Sequence, residues 1–215
     1  MLFSTASRCA IGAISFAVVS SAPAGLVAGQ NSASVFSGAG AVVATEQATR
    51  ATNGSSYLAP VFGDFSAESF ASFGARSFVH SANFAGTGFV GNASASASLT
   101  FENDVQLIVS WDWSALAQTS GANGPNQLAW SIAAGTQSVA LSRTAAGFVS
   151  TGGALGADEG SMLLTFAAGT TVTLSSELWG AANSGNVVMN WAVVPAPGAL
   201  ALLAVAGFAA RRRVR

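Results

Sequence analysis

From residue 99 to residue 193 the apolar side chains fall at every second position, in short runs, and that period is what most limits the fold. Val105, Leu107, Val109, Trp111 and Trp113 share one parity; Gln106, Ser110 and Asp112 share the other, with Ile108 the apolar exception. The pattern returns at Leu128, Trp130 and Ile132, at Val139 and Leu141, at Met162, Leu164 and Phe166, at Val172 and Leu174, and at Val187, Met189, Trp191 and Val193. A period of two belongs to a strand with one dry face and one wet face. Turn chemistry closes each run: Glu102-Asn103-Asp104, Gly121–Asn126, Gly152-Gly153, Asp158-Glu159-Gly160, Ala168-Gly169 and Asn183–Asn186. Many short strands, frequent glycine and weak helical periodicity predict an all-β domain, an antiparallel β-sandwich of jelly-roll-like type. The alternating Ser94–Ser98 feeds a strand through Leu99 and Phe101, and Phe62–Phe89 reads as strands with wide loops. Residues 30–60 give no readable strand.

The two ends do not belong to this domain. Residues 1–24 carry a positive charge at Arg8, an apolar run Cys9–Val19 and a closing Ala22-Pro23-Ala24. Those are the three parts of a signal peptide, to be removed by signal peptidase after Ala24 or at the second site, Val27-Ala28-Gly29. At the other end, Val194-Pro195-Ala196-Pro197 precedes the uninterrupted small and apolar run Gly198–Ala210, and Arg211, Arg212 and Arg213 follow. As a helix that run covers about 20 Å, short of a hydrocarbon core of about 30 Å unless the arginines snorkel. The arginines belong on the cytoplasmic side, which leaves residues 25–194 outside.

This tail resembles the PEP-CTERM sorting signal: Pro195 and Pro197, then the short transmembrane helix, then the basic cluster Arg211–Arg213. The resemblance covers residues 195–215, and Ala196 stands where Glu is common in that motif. It implies an exported protein, first anchored in the inner membrane by its C-terminal helix. An exosortase-like membrane protease would process it, and its destination would be the cell envelope or the extracellular polysaccharide.

Charge and residue content narrow the chemistry of the middle. The chain has no lysine, and its only cysteine, Cys9, lies in the signal peptide. Residues 25–194 therefore hold no thiolate nucleophile, thiolate metal site or disulfide. Their three arginines, Arg50, Arg76 and Arg143, stand against all nine acids of the chain. Nucleic acid is excluded as a partner, since phosphate recognition needs a basic face.

The single histidine, His80, has no second imidazole to complete a zinc site. Nothing in the sequence sets a particular serine against it, and no G-x-S-x-G elbow is present. No cofactor is expected. A structural calcium ion would find its best oxygen ligands in Asp158-Glu159 together with Glu102-Asn103-Asp104. A hydrolase would draw its two carboxylates from Glu102, Asp104, Asp112, Asp158, Glu159 and Glu177, but turn and solvent-face roles account for these acids without catalysis.

Aromatic parity separates core from surface. Trp111, Trp113, Trp130 and Trp191 share the parity of Val, Leu, Ile or Met neighbours and belong to the core. Trp179 has the parity of Thr171, Thr173, Ser175 and Glu177, on the wet face of a strand Thr170–Leu178. Together with Tyr57, in an expected loop Asn53–Pro60, it is a candidate platform for stacking on a sugar ring. The sequence thus predicts a non-enzymatic cell-surface or matrix-associated protein sorted by its tail, with a carbohydrate-binding module as the alternative.

Overall fold

The computed structural model describes residues 25–117, 128–144 and 146–193. The signal-peptide and sorting-signal assignments, Pro195, Pro197 and Arg211–Arg213 included, lie outside the described residues, as does the turn Gly121–Asn126. Among the described residues the chain is nearly all β. Its strands are β1 Gly25–Ser37, β2 Val42–Arg50, β3 Gly54–Leu58, β4 Val61–Phe62, β5 Phe65–Phe73, β6 Ser77–Ala85 and β7 Phe89–Thr100, followed by β8 Val105–Asp112. One helical turn, α1 Ser114–Ala117, precedes β9 Leu128–Ala134, β10 Gln137–Thr144, β11 Gly147–Thr151, β12 Glu159–Phe166, β13 Thr171–Gly180 and β14 Ser184–Val193. No helix among the described residues is long and apolar enough to cross a membrane.

The strands form two antiparallel sheets. The first runs β11-β10-β9-β13-β7-β1-β2; the second runs β12-β8-β14-β6-β5-β3, with β4 paired to β5. From β6 to β9 the chain crosses between the sheets at every connection. It makes a hairpin from β9 to β10, and then crosses again through β12, β13 and β14. The expectation of no strand in residues 30–60 was wrong: most of β1, all of β2 and all of β3 lie there. Their outward residues are mostly Ser, Thr, Gln and Ala, and their inward ones include Asn31 and Ser56, so hydropathy shows little alternation.

The alternating runs place their apolar sets between the sheets as expected. Trp111, Trp113, Trp130 and Trp191 are all core residues, while Ile108 is 47% exposed on the outer face. Rings fill both ends of the core. Trp111 packs against Trp130 and Trp113 with centroids 5.2 Å and 6.4 Å away, and Phe101 against Trp191 at 5.7 Å. Between them β7 presents Ala93, Ala95 and Ala97, small enough for the sheets to approach. Where β7 pairs with β13, Gly91 faces Gly180. A Cβ at Gly91 would lie 2.0 Å from the Phe84 ring, and one at Gly180 2.4 Å from it. The paired glycines make the slot that Phe84 occupies.

Two turn assignments need correction. Glu159 and Gly160 open β12, and Ser184–Asn186 open β14. Glu159 and Gly160 pair with β8, and Ser184–Asn186 with β6, so ladder hydrogen bonds override the turn preference of Asp, Asn and Gly there.

Candidate functional site

Across the outer face of the second sheet, register alone assembles one continuous row of side chains. Tyr57 pairs with Phe70, Phe70 with Ser81, Ser81 with Asn186, Asn186 with Asp112, and Asp112 with Glu159. With strands about 4.8 Å apart, six strands carry this row over roughly 24 Å. The next row contains Glu68, Asn83 and Ser184. From Tyr57 to Asp112 the rows line a shallow pocket of ≈ 360 Å³, with Glu159 just beyond it.

Two aromatic rings stand at one end of it. Tyr57 is 60% exposed and Phe70 36% exposed, on adjacent strands and directly opposite one another. Tyr57 lies within β3, not in the expected loop; pairing with β5 orders it. Planar polar groups surround the rings. The Asn83 amide donates to Glu68 Oε2 at 3.0 Å. Partial desolvation raises the Tyr57 hydroxyl above its ordinary pKa, and its hydrogen bond to Glu68 and the charges of Glu68 and Glu46 add to the rise. Asp112 is held below the usual carboxylate range by hydrogen bonds from the Ser114 hydroxyl, at 2.6 Å, and the Ser114 amide, at 3.1 Å. Its shift is opposite to the one a general acid requires.

The parity reading of Trp179 holds: it sits near the end of β13 on the outer face of the first sheet. The ring is only partly exposed. It lies 4.9 Å from the Phe36 ring, and its Nε1 donates to Glu177 Oε1 at 3.0 Å. The Asn92 amide donates to the same oxygen at 3.1 Å. Beyond it a trough of ≈ 450 Å³ is floored by Ser32, Ser94, Ser131 and Ser175. Those hydroxyls bond in pairs, Ser32 with Ser94 and Ser131 with Ser175, each at 2.7 Å. Trp179 and Tyr57 therefore belong to opposite outer faces and cannot serve one site.

His80 does meet serines, but inside the protein. It is fully buried on β6, with Ser69 Oγ 3.2 Å from Nε2 and Ser176 Oγ 2.8 Å from Nδ1. Ser69 gives its only hydroxyl proton to Asn31 Oδ1, so it accepts from His80 Nε2–H. Nδ1 is then the acceptor for Ser176. This network joins β1, β5 and β6 to β13 across the core, and the imidazole itself is fully buried with both ring nitrogens bonded to serines, which excludes His80 as a general base in direct contact with a bound substrate.

The expected calcium ligands do not converge. Asp158 is bound to Arg143 at 2.7 Å, and Asp104 Oδ1 accepts the Ala168 amide at 2.8 Å. Glu159 pairs with one end of β8, at Asp112, and Asp104 precedes its other end, so the length of a strand separates the two groups. Among the described residues no three metal-ligating side chains cluster.

Phe70, Glu68, Asn83 and Asn186 are site residues that sequence reasoning did not assign to this site. The signal was present at Phe70, which takes the parity of Ser66, Glu68 and Ser72 rather than that of Phe65, Ala67, Ala71 and Phe73.

No family model matches the chain, and no curated protein matches it. Among solved structures, that of TmCBM61 in complex with β-1,4-galactotriose is similar at 8% identity, covering 65% of this chain and 88% of that one, with a TM-score of 0.24. This likeness carries no residue correspondence to the rows described above.

Proposed function

We propose that this is an exported, non-enzymatic surface protein that holds extracellular polysaccharide on the outer face of its second sheet. In this reading residues 1–24 direct export. The tail, residues 195–215, anchors the chain in the inner membrane until an exosortase-like protease processes it, and the domain ends in the envelope or matrix. The order β6-β14-β8-β12 against β7-β13-β9-β10 fits an eight-stranded jelly roll extended at its edges by β1–β5 and β11.

The observation that carries the reading is the exposed Tyr57–Phe70 pair set among Glu68, Asn83, Asn186 and Asp112. A pyranose ring has apolar C–H faces and a polar hydroxyl rim. Exposed rings take the faces, and carboxylates and carboxamides take the rim, where each hydroxyl both donates and accepts. Trp179 offers less, because its indole N–H is already bonded and Phe36 covers part of its ring.

Affinity electrophoresis tests this in gels containing the exopolysaccharide of the native host. Wild-type protein and Trp179→Ala should be retarded, and Tyr57→Ala and Phe70→Ala should run freely. Loss of retardation in Trp179→Ala alone would move the site to the first sheet. No retardation of the wild type would overturn the reading.

A further inference from the structure

Resting on that reading, we propose that the Tyr57–Phe70 face selects pyranose chains without carboxylates, neutral or amine-bearing, and turns away uronate-bearing ones. The argument comes from which charges line the pocket. Glu68 and Asp112 are both lining residues, Glu159 continues the row beyond Asp112, and Glu46 acts on Tyr57 from β2. No arginine lines the pocket. Arg143 is committed to Asp158, and Arg50 donates to the Ser55 carbonyl. The chain has no lysine to compensate.

A sugar chain seated on the rings and laid along the row would bring the rim of one unit to Glu68 and that of a later unit to the Asn186–Asp112 segment. A hydroxyl there donates to the carboxylates. A carboxylate at either place has no proton to give and meets a like charge. At about 6 Å each in water, two such repulsions together weaken binding about tenfold. Recognition of a uronate ordinarily calls for a guanidinium fork, and this face presents none.

The test holds the sugar backbone constant and varies only its charge. The exopolysaccharide of the native host is immobilised in three forms: as isolated, with its carboxyl groups reduced to alcohols, and with its primary hydroxyls oxidised to carboxylates. The reduced form should bind wild-type protein most tightly, and the oxidised form about tenfold more weakly at low ionic strength. In 0.5 M NaCl, where the screening length is roughly 4 Å, the difference should shrink. It should shrink also in Glu68→Gln/Asp112→Asn at low salt. Equal binding of oxidised and reduced forms by the wild type would overturn the selectivity and leave polysaccharide binding standing. A deficit that persists in high salt and in the double variant would assign the loss to missing hydroxyls and likewise overturn it. Failure of all three forms to bind would overturn the underlying reading itself.

Discussion

The buried imidazole makes acid the condition under which this fold should fail first. Burial alone lowers the pKa of His80 from its ordinary 6.5 to about 3, and its ring partners, Ser69 and Ser176, do not ionise. In the unfolded chain the imidazole regains its ordinary value. Between about pH 6.5 and pH 3 the unfolded state therefore holds a proton that the folded state refuses. Stability is full above about pH 6.5, falls as pH drops through this window, and levels off below about pH 3. The separation is about three and a half units at about 1.36 kcal/mol each, so the loss approaches about 5 kcal/mol. In mid-window the slope is about 1.3 kcal/mol per pH unit. For a domain whose net stability is on the order of 5–15 kcal/mol, one side chain would set the acid limit.

Urea denaturation at pH 7.5, 5.5 and 4.5 measures this in the wild type and in His80→Gln, whose carboxamide keeps a donor and an acceptor but cannot titrate. The variant should be less stable at pH 7.5 and should lack the His80 part of the slope, so that the two curves converge in acid. Carboxylates, Asp112 among them, titrate in both proteins and cancel in the difference. Because His80 is the only histidine, its ring resonances are assigned without ambiguity by NMR. They should stay at the neutral position down to pH 4 in the folded protein. Parallel stability curves, or a ring that titrates near pH 6, would refute the reasoning.

Gly91→Ala should destabilise by about 1–3 kcal/mol in urea melts, since its methyl enters the space of the Phe84 ring and the Ala67 methyl. Trp111→Ala should cost about 3–5 kcal/mol, for it removes a core ring and the bond from Nε1 to the Ala157 carbonyl at 2.9 Å. Trp179→Ala should cost about 1 kcal/mol, because its ring is only partly covered; equal losses at the two tryptophans would refute the face assignment. Protein recovered from the native host should have an intact mass that begins near Gly25 or Gln30 and ends near Pro195, and a C-terminus at Arg215 would rule out tail removal.

What the sequence disclosed follows from which residues mark their own environment. Trp, Leu and Val at alternate positions mark a dry face wherever they occur, so the core of β8, β9, β13 and β14 was legible. β1 and β2 were not, because Ala, Ser, Thr and Gln suit either face and leave parity unmarked. Tyr57 was legible as exposed but not as ordered: β3 depends on its pairing with β5, and pairing is a long-range fact. The same limit misled the calcium estimate. Glu102–Asp104 and Asp158-Glu159 look alike as acidic turns, yet register sends them to opposite ends of β8 and β12. Register instead set Asp112 beside Glu159 and both in line with Tyr57, a juxtaposition spread over more than a hundred residues of sequence.

Exposed apolar side chains alone would not single out the second sheet's outer face. Ile108 is 47% and Leu163 55% exposed there, as partners across β8 and β12, and scattered surface apolar residues are normal. The row that begins at Tyr57 differs in combining three local costs along its length. Two rings are left to solvent, like charges stand opposite one another at Asp112 and Glu159, and Glu68 lies close enough to Tyr57 to resist its ionisation. Like charges directly across a strand pair destabilise a sheet, and nothing in the core requires any of these choices, since every one of these side chains points outward. A chain whose inner faces obey alternation so closely has no folding reason to break it here. Local rules broken together along one outward row fit the binding surface proposed above, and the rings and oxygens left uncovered there are those a sugar chain without carboxylates would cover.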